Sequence, residues 1–320
     1  MRKIAVITSG GDAPGMNAAV RSVVRTAIHE DMEVYGVVRG YNGLINDELV
    51  PMELRSVSDI IHRGGTTLFT ARSPEFRTEE GMQKAVATCK RRGIEGVVVI
   101  GGDGSFRGAR DLTARGIPCV TIPATIDNDI SCCEATIGYD TAANTVIDMV
   151  DKLRDTSQSH DRCSVVEVMG RHAGWLTMSA GIAVGATSIL VPEVPYDFQK
   201  DIVDKMKMSS ATGKHHFIIM VAEGIGHVDE LAKRIEEATG VETRATILGH
   251  VQRGGNPTAR DRILASRMGN YAVHLLLQGK SNRVVAIKKD QLVDYDITEA
   301  LDMKKPFDMD MYRMANEISI

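Results

Sequence analysis

The 320-residue sequence contains 43% apolar and 25% charged residues and has a formal net charge of −4. This composition is typical of a globular protein whose interior needs neither disulfides nor a structural metal. The small acidic excess argues against a nucleic-acid-binding protein, which usually carries a basic surplus. Because single cores stop growing near about 250–300 residues, the length predicts two lobes with a cleft between them.

The five cysteines follow neither a metal-binding spacing nor a paired framework, so we expect reduced thiols. The basic start and the apolar residues after it imitate an export signal, but the apolar run breaks at Thr8-Ser9-Gly10-Gly11 and predicts a strand instead. No apolar stretch approaches the roughly 20 residues that span a bilayer. We therefore expect a cytoplasmic protein with no membrane partner.

Short β-branched runs alternate with helical patterns along the chain, which is typical of βαβ units in a parallel sheet. The predicted strands are 4–8, 34–38, 97–100, 119–122, 164–168, 188–190, 217–222, 246–248 and 284–287. The main predicted helices are 16–28, 79–92, 141–154, 201–210, 228–238 and 259–277. The expected fold class is α/β, with two doubly wound, mainly parallel three-layer domains and the active site in the cleft between them.

A Gly-Gly-Asp sequence follows a predicted strand twice, at 10–12 and at 101–103. In a doubly wound sheet, ligands bind beyond the carboxyl ends of strands, where helix N-termini favour anions. Glycines there permit close approach of the backbone to a phosphate, although βα turns also use glycine for purely steric reasons. Neither loop matches the P-loop or the dinucleotide fingerprint.

The second copy continues as Gly101-Gly102-Asp103-Gly104-Ser105, which places a carboxylate inside a candidate phosphate loop. A carboxylate beside phosphates is repulsive unless it holds a cation, and Mg²⁺ takes one or two carboxylates plus phosphate oxygens and water. The alternative is that Asp103 caps the following helix.

A dense polar segment, Thr125-Ile126-Asp127-Asn128-Asp129, follows the strand predicted at 119–122. If this segment is extended, alternation places Thr125, Asp127 and Asp129 on one side, where they offer a base, a hydroxyl and a second carboxylate. Asx turns and caps are the alternative for such a cluster.

Four motifs follow one another along the chain: Gly-Gly-Asp-Gly-Ser at 101–105, Thr-Ile-Asp-Asn-Asp at 125–129, Met-Gly-Arg-His-Ala-Gly at 169–174 and Gly-His-Val-Gln-Arg-Gly-Gly at 249–255. In this order they resemble bacterial ATP-dependent 6-phosphofructokinase, over nearly the whole length of the chain. The resemblance implies transfer of the γ-phosphate of ATP to the C1 hydroxyl of fructose 6-phosphate, the committed step of glycolysis. It also implies an ATP-binding domain at 1–138 with about 257–302 and a fructose 6-phosphate-binding domain at 139–256 with about 303–320.

The resemblance further assigns roles to individual residues. The implied catalytic residues are Asp127 as the base, Thr125, Arg72 and Arg171, and the implied Mg²⁺ ligands are Asp103 and Asp129. The implied ATP-binding residues are Gly11, Tyr41, Arg72, Ser73, Phe76, Arg77, Gly102, Asp103, Gly104, Ser105 and Gly108. The implied substrate-binding residues are Thr125, Ile126, Asp127, Arg162, Met169, Gly170, Arg171, Glu223, Arg244, His250, Val251, Gln252 and Arg253.

In the family, the residues matching Arg162 and Arg244 reach across from a neighbouring subunit, which implies a homotetramer with shared active sites. ATP is the implied donor, because pyrophosphate-dependent relatives typically carry an acidic residue at the position of Gly104 and a lysine at that of Ala124. The ATP enzymes usually have glycine at position 124, so the methyl group of Ala124 is a departure.

A second, regulatory nucleotide site is also implied, formed by Arg21, Arg25, Asp59, Arg154, Gly185, Thr187, Thr212, Lys214, His215 and His216. Thr187 stands where the family usually has a glutamate, and Thr212 where it usually has an arginine. Loss of these charged groups predicts a weakened response to ADP and phosphoenolpyruvate.

Two other functions fit parts of the sequence. NAD and lipid kinases also use Gly-Gly-Asp-Gly, but they lack the other motifs in this arrangement. A catalytically silent, nucleotide-binding regulatory subunit is the alternative from another class, and the presence of Asp103, Thr125, Asp127 and Arg171 argues against it.

Overall fold

The computed structural model describes residues 1–319 and divides them into two compact units. The first unit comprises Met1–Ile126, Ile130–Thr141 and Arg253–Lys305. The second comprises Asp127–Asp129, Ala142–Gln252 and 306–319. None of the described helices is long and apolar enough to cross a membrane.

The first unit contains a sheet with seven strands among residues 1–319, in the order β11-β10-β5-β4-β1-β2-β3. Its strands are β1 Lys3–Ser9, β2 Glu33–Val37, β3 Leu49–Met52, β4 Gly96–Gly101, β5 Cys119–Pro123, β10 Arg283–Lys288 and β11 Gln291–Asp296. The pairs β2–β3 and β10–β11 are antiparallel, and the other pairs are parallel. All residues of β4 and β5 are buried, as expected for parallel strands covered on both faces.

The helices of the first unit begin and end at local sequence signals. They are α1 Met16–His29, α2 Tyr41–Asn46, α3 Glu79–Arg92, α4 Asp103–Ala114, α9 Ala259–Leu277 and α10 Ile297–Asp302. The Thr78 hydroxyl caps α3 by accepting a hydrogen bond from Gly81 N, and Gly93 ends the helix with φ 68°. Helix α5, Tyr139–Ser159, begins in the first unit and continues in the second.

The second unit contains a sheet with four parallel strands among the described residues, in the order β7-β8-β6-β9. The strands are β6 Cys163–Val168, β7 Ser188–Leu190, β8 Phe217–Ala222 and β9 Thr243–Ile247. The helices are α6 Trp175–Ala183, α7 Lys205–Ala211, α8 Val228–Thr239 and α11 Met309–Glu317. One face of the sheet packs on a core that includes Phe217, Ile219 and Ile235.

The prediction of an α/β fold with mainly parallel sheets is confirmed, with local corrections. The strand predicted at 246–248 runs instead from Thr243 to Ile247, because this edge strand is half-exposed and lacks an apolar run. The helix predicted at 201–210 begins as a π-helical turn, Gln199–Asp204, before α7. The antiparallel edge strands β3 and β11 were not predicted, because β3 contains a proline and β11 shows only a weak alternation of apolar and polar residues.

Candidate active site

Three neighbouring strands of the first sheet end at the same level. Ser9 of β1 lies opposite Gly101 of β4, and Gly101 lies opposite Pro123 of β5. The two Gly-Gly-Asp loops and the Thr125 segment therefore emerge side by side, because neighbouring strands lie about 4.8 Å apart. This is the edge at which doubly wound sheets bind their ligands.

Hydroxyl groups connect the loops at this edge. The Ser105 hydroxyl donates to the Ser9 carbonyl (3.0 Å), and the Tyr41 hydroxyl donates to the Ser105 carbonyl (2.5 Å). The Thr70 hydroxyl donates to the Gly10 carbonyl (2.7 Å), which fixes the segment before Arg72 to the first loop. These three bonds use loop carbonyls and no loop N–H group, so they stabilise the loops without occupying donors that favour phosphate.

The glycines of these loops differ in their surroundings. A Cβ on Gly101 would lie 2.4 Å from the Ser9 carbonyl oxygen, so this position requires glycine for packing. A Cβ on Gly102 or Gly104 would meet no described atom within 4 Å. The open surface at these two positions leaves room for a ligand against the backbone.

The rings of Tyr41 and Phe76 stack on each other, with centroids 4.1 Å apart, and each residue is only 5% exposed. A Cβ on Gly108 would lie 2.6 Å from the Tyr41 ring. Burial raises the pKa of the Tyr41 hydroxyl well above its ordinary value, so it remains a donor. The two rings thus support the second loop from within the protein and present little surface to a ligand.

Two predicted arginines of the first unit differ in their contacts. Arg72 is exposed, as are Arg77 and Asp103, while Ser73 is half-buried and its hydroxyl accepts a hydrogen bond from Phe76 N. Arg253, which was predicted to bind the sugar phosphate, donates from Nη1 to the Asp12 carbonyl (3.0 Å). Its guanidinium group also occupies the space beside Gly11, where an added Cβ would be 2.8 Å from Nη1.

The segment 125–129 is not extended. The chain turns at Ile126 and Asp127, and Asn128 adopts a left-handed conformation with φ 51°. The predicted extended alternation is therefore wrong, since the Asn side chain tolerates this conformation within a turn. Thr125, Asp127 and Asp129 are nevertheless half-buried, whereas Ile126 and Asn128 are buried, so the three polar side chains share partial solvent access.

In the second unit, a carboxylate and an amide fix the loop after β6. Glu223 Oε2 accepts hydrogen bonds from Gly170 N (3.3 Å) and Arg171 N (2.9 Å). The amide of Gln252, which is fully buried, accepts from Met169 N (3.1 Å) and donates to the Gly249 carbonyl (3.0 Å). Arg171 itself is exposed and held at φ 57°, a strained conformation for a residue other than glycine.

The structure brings together part of the predicted substrate-binding set in this unit. Met169, Gly170 and Arg171 follow β6, Glu223 follows β8, and the exposed His250 and Val251 follow β9, all at the carboxyl ends of adjacent strands.

Arg162 and Arg244 lie at the other end of the same strands. Arg162 precedes β6, and Arg244 lies opposite Ser164 near the start of that strand. The five residue steps from Ser164 to Met169 correspond to roughly 16 Å along a strand. These two arginines therefore do not join Arg171 at the carboxyl edge of their own sheet.

The predicted regulatory residues of the second unit form a cationic cluster. Lys214 donates to the hydroxyl of Thr187 (3.4 Å), and Thr187 is fully buried. Burial and then nearby Arg154 lower the pKa of Lys214, and burial, Arg154 and Lys214 lower the pKa of His216. The Thr212 hydroxyl donates to Ser209 O (2.8 Å) at the end of α7, and Gly185 and His215 are exposed.

The regulatory residues of the first unit lie on α1 and in one loop. Arg21 and Arg25 are one turn apart on α1, and burial, followed by the charge of Arg25, lowers the pKa of Arg21. Asp59 is exposed at φ 56°.

Some residues that organise the site were not predicted from the sequence. They are Thr70, whose hydroxyl ties the Arg72 segment to the first loop, and Glu242, which pairs with Arg162 and Arg244. Thr70 lies two residues before Arg72 and Glu242 two residues before Arg244, so proximity to a predicted residue was the available signal.

The first unit has a mainly parallel sheet that ends in glycine-rich loops, and the second has a parallel sheet with an arginine-bearing loop, which together define an α/β protein suited to phosphorylated ligands. A family model described as phosphofructokinase matches residues 3–276. The chain therefore belongs to the phosphofructokinase family, which confirms the resemblance predicted from the four motifs.

Relatives match over the full length. The chain is 58% identical over 320 residues to proteins named ATP-dependent 6-phosphofructokinase from Bacillus licheniformis and Bacillus subtilis, and the match covers 100% of each chain. The solved structure of phosphofructokinase from Saccharomyces cerevisiae superposes with a TM-score of 0.90 at 36% identity. That match covers 100% of this chain and 48% of the yeast chain. These names give no support to the silent-subunit alternative.

Proposed function

We propose that this protein transfers the γ-phosphoryl group of ATP to the C1 hydroxyl of fructose 6-phosphate, giving fructose 1,6-bisphosphate and ADP. The observation that carries the proposal is the full-length 58% identity to proteins named ATP-dependent 6-phosphofructokinase. The three loops that emerge in register from β5, β4 and β1 support it, because they form an edge suited to a polyphosphate.

Asp127 is the proposed general base. It accepts the proton of the C1 hydroxyl as that oxygen forms a bond to the γ-phosphorus, and the bond from the γ-phosphorus to the bridging oxygen of ADP breaks. An aspartate is a weak base, with an ordinary pKa of about 3.9. This is sufficient because phosphoryl transfer has a loose transition state and depends mainly on positioning and charge stabilisation.

Thr125, Arg72 and Arg171 are proposed to contact the transferring phosphoryl group. A guanidinium group stays charged and offers a planar fork of donors, which matches phosphate oxygens. The exposure of both arginines supports this role, because an exposed guanidinium group can reach a ligand, and Glu223 fixes the backbone from which the Arg171 side chain extends.

Mg²⁺ is proposed to accompany ATP, held by Asp103 and Asp129. The donor set fits this ion: Asp103 is an exposed carboxylate at the first residue of α4, and the described residues contain no group of three or more His, Cys, Asp or Glu side chains that would form a complete protein cage. Mg²⁺ typically binds through one or two carboxylates, completing its shell with nucleotide phosphates and water. When bound, it neutralises charge on the phosphates.

The proposed nucleotide site uses Gly11, Gly102, Gly104 and Ser105 at the loops, with Arg72, Ser73 and Arg77 beside them. The open space at Gly102 and Gly104 supports close approach of phosphates to the backbone. Tyr41, Phe76 and Gly108 contribute as the buried support of the second loop.

The sugar phosphate is proposed to bind at the carboxyl edge of the second sheet, with Met169, Gly170, Arg171, Glu223 and His250, and with Arg253. Thr125, Ile126, Asp127, Val251 and Gln252 complete the proposed set. Because Ile126 and Gln252 are fully buried, their contribution is to shape the backbone.

Arg162 and Arg244 are proposed to bind the sugar phosphate of a second copy of the chain, within a homotetramer. Their position at the opposite end of β6 and β9 supports this arrangement, since the strands separate them from Arg171 by about 16 Å or more. If Arg162 and Arg244 bind a sugar phosphate at the carboxyl edge of such a sheet, that sheet must belong to another subunit.

Regulation by ADP or phosphoenolpyruvate is proposed to be weak. Arg154 and Lys214 supply positive charge, but Thr187 and Thr212 provide neither a carboxylate for a metal nor an additional guanidinium group. Calorimetric titration with each effector tests this, and tight, activity-changing binding at micromolar concentration would refute it.

The decisive experiment measures fructose 1,6-bisphosphate formation with Mg²⁺ and either ATP or pyrophosphate, for the wild type, Asp127→Ser and the exposed control Asp151→Ser. We expect product with ATP only and a fall in kcat of about 10²–10⁴-fold in Asp127→Ser. The control should retain activity. Activity with pyrophosphate would overturn the choice of donor, and none with either donor would overturn the proposed reaction.

A further inference from the structure

A carboxylate lies between the two arginines at the amino-terminal edge of the second sheet. Glu242 precedes β9 as Arg162 precedes β6, and these strands are parallel neighbours. Nε of Arg162 lies 2.9 Å from Oε2 of Glu242, as an ion pair rather than an aligned hydrogen bond. Arg244 donates from Nε (3.1 Å) and Nη2 (2.6 Å) to Oε1. Each carboxylate oxygen therefore serves one arginine.

These contacts engage the Nε side of both guanidinium groups. Within residues 1–319, neither guanidinium group has another ion-pair or hydrogen-bond partner, so both Nη groups of Arg162 and Nη1 of Arg244 are available. The Nη ends are the part of an arginine that can bind a phosphate with parallel hydrogen bonds. Glu242 thus holds both side chains without occupying their remaining donors.

The carboxylate of Glu242 also offsets the repulsion between the two guanidinium groups. Two guanidinium groups on adjacent strands repel each other, and long exposed side chains sample many rotamers. The side chain of Arg162 is 30% exposed and that of Arg244 is 68% exposed, so packing alone does not fix them. The neighbouring guanidinium groups of Arg162 and Arg244 lower the pKa of Glu242, so it remains charged at neutral pH.

We propose that Glu242 is a positioning residue for phosphate recognition, which aligns Arg162 and Arg244 as one pair whose free Nη ends receive the 6-phosphate of the sugar bound to a second copy. This inference rests on the proposed function, in which these two arginines bind fructose 6-phosphate. Glu242 does not touch the substrate. Its backbone carbonyl accepts a hydrogen bond from Cys163 N (2.9 Å), so side-chain substitutions leave the strand pairing in place.

The test compares Glu242→Gln and Glu242→Asp with Glu237→Gln, an exposed carboxylate on the adjacent helix α8. We expect the KM for fructose 6-phosphate to rise about tenfold in Glu242→Gln, as for loss of a charged hydrogen bond, with kcat and the KM for ATP within about twofold. Glu242→Asp keeps the negative charge but has a shorter side chain, so its KM for fructose 6-phosphate should lie between those of the wild type and Glu242→Gln. Glu237→Gln should match the wild type.

A double-mutant cycle separates positioning from general stability. In an Arg244→Ala background, Glu242→Gln should raise the KM for fructose 6-phosphate less than it does in the wild type, because part of the positioned pair is already lost. An unchanged KM in Glu242→Gln would overturn the proposal, and a lowered KM would mean that the carboxylate competes with the phosphate. An inactive wild type would instead overturn the proposed function itself.

Discussion

The loops at the carboxyl edges of the two sheets are held by different chemistry. In the first unit, the hydroxyls of Ser105, Tyr41 and Thr70 donate to loop carbonyls. In the second unit, the side chains of Glu223 and Gln252 accept hydrogen bonds from loop N–H groups.

This difference has a physical reason. A polyphosphate is attracted to free N–H donors and repelled by carboxylates, so neutral hydroxyl bonds can stabilise its loop without weakening the site. At the second edge the charge needed for an anion is proposed to come from the Arg171 side chain, and the backbone N–H of Arg171 is available to fix its loop. We therefore predict that the loop after β6 depends on its carboxylate, whereas the segment 101–105 does not tolerate a further one.

Removing the carboxylate that fixes the loop after β6 should have the largest effect. Glu223→Ala frees the N–H groups of Gly170 and Arg171, and two hydrogen bonds to a charged group correspond to about 3 kcal/mol. We expect kcat/KM for fructose 6-phosphate to fall about 100-fold, with a small change in the KM for ATP. Glu223→Gln retains an acceptor and should lose less than Glu223→Ala. Equal kcat and KM values for the wild type and Glu223→Ala would contradict the claim that this carboxylate fixes the loop for substrate binding.

Placing a further carboxylate in the segment 101–105 of the first unit tests the other side of the comparison. Gly104→Asp introduces charge where a Cβ meets no described atom within 4 Å, so repulsion rather than steric strain should dominate. We expect the KM for ATP to rise about 10- to 100-fold, given roughly 1–4 kcal/mol for charges about 4 Å apart near a surface. The melting temperature and the KM of the matched variant Gly104→Ala should stay close to wild type. A similar loss in both variants would show that the defect is steric.

Removing a carboxylate on β6, just before the loop that Glu223 fixes, should have the smallest effect. Burial raises the pKa of Glu167, and the charges of Glu223 and Asp229 raise it further. Because the folded-state pKa exceeds the unfolded value, ionised Glu167 destabilises the folded protein at neutral pH, and acid relieves this.

We therefore expect Glu167→Gln to raise the melting temperature at pH 7 by less than about 4 °C, since solvent screening keeps the gain below about 1 kcal/mol. The gain over wild type should shrink as the pH falls toward the ordinary pKa of glutamate. Thermal melts of Glu167→Gln and the wild type across this pH range check the sign of this change, and Glu237→Gln is the control. A difference in melting temperature that grows at low pH would contradict the prediction.

Much of the fold was predictable because its signals are local. Buried parallel strands such as Gly96–Gly101 are continuous apolar runs, and α3 begins at a threonine cap and ends at a glycine. The edge strands β3, β9 and β11 were missed or misplaced, because β3 contains a proline and β9 and β11 lack a continuous apolar run. The turn at Ile126 and Asp127 was also missed, since a short polar segment does not distinguish extended backbone from a turn.

The candidate site was predictable where motifs follow strands and unpredictable where distant side chains meet. The sequence identified Asp103, Asp127 and Arg171 through their motifs, and their proposed roles remain to be tested. It did not indicate that Arg253 contacts the loop at Gly11 and Asp12, or that Glu242 bridges two arginines. Such contacts depend on strand order and register, which a local pattern does not encode.

By itself, the sequence determined the α/β class, the positions of most strands along the chain, the two glycine loops and the family, because apolar periodicity and short motifs are properties of neighbouring residues. Only the tertiary structure decided that Ser9, Gly101 and Pro123 end in register, and that Arg162 and Arg244 lie at the opposite strand end from Arg171. The physical reason is that backbone pairing between strands far apart in the chain sets these positions. Ser105 and Ser9, 96 residues apart, meet only because β4 pairs with β1.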